Sequence, residues 1–88
     1  MAAPASYTET TFKTYLHGRL GSLADAFQWT VAGGNYDEAV NDALLAYGES
    51  DITQITTATN INLLRAYGRY FLWKSVAEAT VNEIDYTH

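Results

Sequence analysis

INLLRAYGRYFLWKSVAEA, residues Ile61 to Ala79, contains no proline and carries four of the chain's twelve aromatic rings, Tyr67, Tyr70, Phe71 and Trp73. Its apolar residues recur at helical spacing, so it reads as the central helix of the fold. In its first half Leu63, Leu64, Tyr67, Tyr70 and Phe71 share a broad apolar side, with Asn62, Arg65 and Arg69 opposite. In its second half Lys74, Glu78, Asn82 and Asp85 fall where that apolar side would continue. The apolar residues there are Leu72, Trp73, Val76, Ala77, Thr80 and Ile84. The apolar face is therefore expected to reverse near Leu72.

A helix that buries one face in a single small core keeps one stripe along its length. A reversing stripe suggests that one half packs inside its own subunit and the other against something else, for which a neighbouring copy is one candidate. A kink at Gly68, or a chain wrapped round both sides of the helix, would produce the same pattern. The four rings point in several directions, so some are expected to remain at least partly exposed in an isolated subunit. Large exposed rings mark interaction surfaces.

The remaining composition sets the outer bounds. A chain of 88 residues that is 48% hydrophobic suits one domain with one modest core and little room for a deep active site. Five basic against ten acidic residues give a net charge of -5, which argues against a general nucleic-acid binder with its basic footprint. There is no cysteine, so disulfides and thiolate metal sites are excluded. No segment approaches the ~18 apolar residues of a membrane span, and MAAPASYTET lacks the basic and apolar regions of a signal peptide. A soluble, cytoplasmically made protein without membrane contact is expected.

Before the central helix, residues 1–5 form a small-residue tail expected to be mobile, as are residues 86–88 at the other end. Ser6 and Glu9 have the spacing of a capping box, with Thr8 as a rival cap. The first helix is expected to run to about Trp29, with Phe12, Leu16, Leu20 or Leu23, and Phe27 on one face. Gly18 and Gly21 each cost about 1 kcal/mol of helix propensity, so they either break this helix in two or admit another backbone. Gly33 and Gly34 close the segment. A second helix is expected over Tyr36 to Tyr47, capped by Asn35, with Asp37 and Glu38 complementing its dipole and Gly48 as its stop. DITQITTAT, residues 51–59, reads as a short helical turn capped by Asp51, with Ile52 and Ile55 inward. The central helix then frays near Glu83. The expected class is all-α: a small bundle of three to four helices in one domain, with a long C-terminal helix.

Chemistry-bearing patterns are scarce. His17 and His88 are the only histidines, and His17 reads as a surface or core residue. The pair Asp37–Glu38 is explained by its place at a helix start. Asp42 and Asp51 lack calcium-loop spacing, and the glycines form no phosphate-binding pattern. No catalytic, cofactor or metal site is expected, and the chain does not read as an enzyme. Arg65 and Arg69, one turn apart, admit three readings: phosphate contacts on a DNA-reading helix, a solvated face with acidic neighbours, or pairing between subunits.

The order of elements resembles one family. An acidic-capped, alanine-containing helix (Asn35-Tyr36-Asp37-Glu38-Ala39, then Ala43-Leu44) precedes a long helix with Leu64-Arg65, Trp73, Ala77 and a closing Asp85-Tyr86. This is similar to the head-tail connector, or adaptor, proteins of tailed bacteriophages, over roughly residues 35–86. The resemblance implies a helical structural protein of the virion, assembled in the host cytoplasm. It implies a homo-oligomeric, usually twelve-membered ring that binds the portal on one side and tail or neck proteins on the other. DNA would pass through without specific binding. The interface residues expected on this reading are Arg65, Arg69, Tyr70, Trp73, Val76 and Ile84. A small helical DNA-binding or protein-interaction module is the alternative.

Overall fold

Thr8 opens the first helix. Its backbone is extended and its hydroxyl accepts from the Thr11 N–H at 3.1 Å, which satisfies a donor that the first turn leaves unpaired. The computed structural model describes residues 7–87, with side chains for residues 7–80. The capping box expected at Ser6, the tail at 1–5 and His88 lie outside the described residues.

Four α-helices follow: α1 (Glu9–Leu20), α2 (Ser22–Phe27), α3 (Asp37–Tyr47) and α4 (Ala58–Thr87). Short 3-10 turns at Val31–Gly33 and Ile52–Gln54 connect them, and no strand occurs among the described residues. The class is all-α, a small helical bundle with a long C-terminal helix.

The single first helix expected to reach Trp29 is two helices. Gly21 takes φ 56°, a conformation that disfavours a side chain, and the chain turns there. Gly18 stays inside α1 with open space where a side chain would stand, so it neither breaks the helix nor admits a neighbour. Gln28, left-handed at φ 60°, ends α2, while Gly34 closes the following 3-10 turn.

α3 follows the expected span to within one residue, but its cap differs. Tyr36 takes the N-cap place without a side-chain capping hydrogen bond, while the Asn35 side-chain Oδ1 accepts from the Thr30 N–H at 3.0 Å and braces the preceding loop. Gly48, at φ 95°, stops the helix as expected. Asp51 accepts from the Thr53 N–H and hydroxyl and starts the turn that buries Ile55. Thr57 accepts from the Asn60 N–H at 3.2 Å at the entry to α4, which runs past its expected end near Glu83 to Thr87.

The core joins Phe12, Leu16 and Leu20 of α1, Ala24 of α2, and Ala39, Val40 and Ala43 of α3 to Tyr36, Ile55, Leu64 and Leu72. On α4, Leu64, Gly68 and Leu72 are all buried, one turn apart, and Ile61, Phe71, Ser75 and Val76 are half-buried beside them. This is one continuous inward stripe, so the expected reversal near Leu72 does not occur. Gly68 is the reason that the pattern misleads. It is silent in hydropathy yet sits at the centre of the buried face. A side chain there would collide with the Phe12 ring and press on Leu16 Cδ2 at 3.3 Å. Its missing side chain lets α1 lie against the α4 backbone, and α4 continues through it unbroken.

Candidate interaction surface of the long helix

Opposite the buried stripe, α4 carries a second apolar line. Leu63, Ala66, Tyr70, Trp73 and Ala77 are all exposed and are spaced three, four, three and four residues apart. That alternation keeps a seam on one side of a helix and is the spacing by which helices pack against other helices. Tyr70 is 65% and Trp73 43% exposed. Tyr70 leans on Phe71 edge to face, with centroids 5.0 Å apart, so its ring is supported on one side and open on the other. The apolar character of α4 thus has two faces along one length, one inward and one outward.

The two arginines do other work. The Arg65 Nε–H donates to the Tyr7 hydroxyl at 3.1 Å, and its guanidinium lies 4.5 Å from the Tyr15 ring centroid and 5.5 Å from that of Tyr7. Arg69 donates to the Tyr15 hydroxyl at 2.7 Å. A flat, delocalised cation over ring faces is a favourable stacking partner, and here Arg65 by stacking and Arg69 by its hydrogen bond fasten Tyr7 and the α1 residue Tyr15 onto α4. Both arginines are half-buried in this contact. Their partners are tyrosines of the same chain, not the acidic neighbours of the solvated-face reading. Val76 is half-buried against the core, and the Ile84 side chain lies outside the described ones. Of the expected interface set, the structure therefore places Tyr70 and Trp73 on the outward line.

His17 joins the interior. Its Nδ1 is 2.7 Å from the Tyr36 hydroxyl, and the Trp29 ring meets Tyr36 edge to face at 5.9 Å. This network satisfies the buried phenol, whose pKa is raised above its ordinary value by burial. Lys13 bridges Glu9 and Asp37, tying α1 to the first turn of α3. Among the described residues no three or more His, Asp or Glu side chains gather as a metal-binding group. No described helix is long and apolar enough to cross a membrane.

One further apolar feature escaped the sequence reading. Leu45 on α3 is 79% exposed and borders a groove at the C-terminal end of that helix, formed with Asn41, Leu44, Gly48, Glu49 and Ser50. Leu63, Ala66 and Ala77 were likewise missed as members of a surface. Their three-four spacing with Tyr70 and Trp73 is present in the sequence, but dividing the apolar residues of α4 into a first-half face and a second-half face cuts that line in two. The chain matches no protein-family model, no curated protein and no solved structure.

Proposed function

We propose that this chain is a structural subunit that assembles with copies of itself through the outward line of α4, in the manner of a head-tail connector of a tailed bacteriophage. The observation that carries this reading is the exposed line itself, with Tyr70 and Trp73 at its centre. Aromatic residues are enriched in the desolvated centres of interfaces. On this reading the ring stands between the portal and the tail or neck proteins of the virion. It has no catalytic role.

The charge fits that place. A net charge of -5 disfavours tight contacts with a polyanionic backbone, so DNA can slide past without being held. The competing reading as a DNA-binding helix has less support, because Arg65 and Arg69 each spend a donor on a tyrosine of the same chain. The test compares Trp73→Ala with the unchanged chain by light-scattering mass and by thermal unfolding. Loss of higher-mass species with little change in the unfolding midpoint supports the reading. A large drop in midpoint with association intact would assign Trp73 to the private fold of the subunit.

A further inference from the structure

The outward line of α4 and the groove at the end of α3 share no residue, and both expose apolar surface on the same molecule. We propose that they are the two halves of one interface, in which Tyr70 and Trp73 of one copy enter the groove formed by Leu44, Leu45 and Gly48 of the next. This rests on the self-assembly reading above and names the surfaces that would serve it.

Three observations choose a second copy as the occupant. The first is size. The groove is open to solvent and offers about 630 Å³, within the range of small-molecule pockets and ample for an aromatic ring. Gly48 contributes no side chain, and nothing lies within 4 Å of where one would stand, so a ring has open access beside Leu45. The second is charge. Exposed Lys74 directly follows Trp73, and Glu49 lines the groove. One Glu49 oxygen accepts from the Asp51 N–H at 3.1 Å, which orients a carboxylate at the rim where the lysine of an incoming helix would arrive. On a surface with ten acidic and five basic residues in the whole chain, a cation beside the aromatic pair and an anion beside the groove are complementary. Such rim charges select partner and register. The third is geometry. Because the two surfaces differ, the contact is heterologous, and each copy can offer a free line to one neighbour and a free groove to the other. Heterologous contacts close into rings when the rotation permits.

Two exposed substitutions and their mixture test this. Trp73→Ala removes the line and Leu45→Glu blocks the groove, and both positions lie outside the buried core, so circular dichroism and unfolding midpoints of the full chain should stay near those of the parent. Each variant alone should self-associate roughly thirtyfold more weakly, or worse, as expected for a central anchor residue. Mixed in equal amounts, the two should recover association but stop at a one-to-one pair. The Leu45→Glu copy still supplies a line, the Trp73→Ala copy still supplies a groove, and the two remaining surfaces are dead. A Leu45→Glu chain that associates like the parent, or a mixture that stays monomeric, overturns the pairing of line with groove while leaving self-assembly through α4 standing. A parent chain that never associates removes both.

Discussion

At Gly68 the α4 backbone lies against Phe12 and Leu16 of α1, and its substitution separates two opposing effects. Alanine in place of glycine gains up to about 1 kcal/mol of helix propensity, but its methyl would meet the Phe12 ring and Leu16, and overpacking a tight core costs about 1–3 kcal/mol. Gly68→Ala is therefore expected to destabilise by about 1–2 kcal/mol, read as a lower urea midpoint at unchanged slope. A raised midpoint would mean that α1 and α4 are not in close contact there. Tyr15→Phe keeps the ring beneath Arg65 and removes only the hydroxyl that accepts from Arg69. Its expected cost is about 1 kcal/mol, and a neutral result would show that the Arg69 contact adds nothing to stability. These residue-level contacts were not legible in advance. Hydropathy assigns glycine no side and arginine the solvent side, whereas Gly68 is buried for want of a side chain and Arg65 is half-buried because its guanidinium stacks on tyrosine.

At the scale of elements, what could be read in the chain depended on local signals. α3 has acidic residues in its first turn, an apolar period and a terminal glycine, and it lies almost where those signals put it. The turn at Ile52–Gln54 follows from the Asp51 side chain in the same way. The break at Gly21 was open because a glycine can either end a helix or pass within one, and only the positive φ decides. The two faces of α4 were confused for a different reason: both run the length of the helix, so a face assigned to each half mixes inward with outward residues and looks like a reversal. The link between α1 and α3 gives a prediction at this scale. Hydrogen bonds to Asp37 and then to Glu9 raise the Lys13 pKa above its ordinary 10.5, and burial raises the Tyr36 phenol above its ordinary 10.0. Both groups hold their protons more tightly in the folded chain than in the unfolded one. The associated stability is complete below about pH 10, the lower of the two unfolded values, and is lost as pH rises through the folded values. Urea midpoints should accordingly fall above that pH, and fall less steeply in Lys13→Met. An equally steep fall in the variant would show that the Lys13 bridge does not link α1 to α3 in solution.

At the scale of the whole molecule, a body of 56 × 24 × 18 Å is built along one 30-residue helix that spans about 45 Å at the usual rise. α1 and α3, of 12 and 11 residues, cover one side of it. The other side keeps a seam of apolar residues in the spacing of a helix-packing surface. A small domain buries a limited share of its apolar surface, and this one leaves Leu23, Leu45, Leu63, Tyr70 and Trp73 exposed. The most direct measurement is the mass of the unchanged chain in solution, by light scattering or sedimentation over a wide concentration range. Species should grow from 9.7 kDa to a defined multiple of it, and be lost in Trp73→Ala. A mass that stays at 9.7 kDa at every concentration would contradict self-assembly.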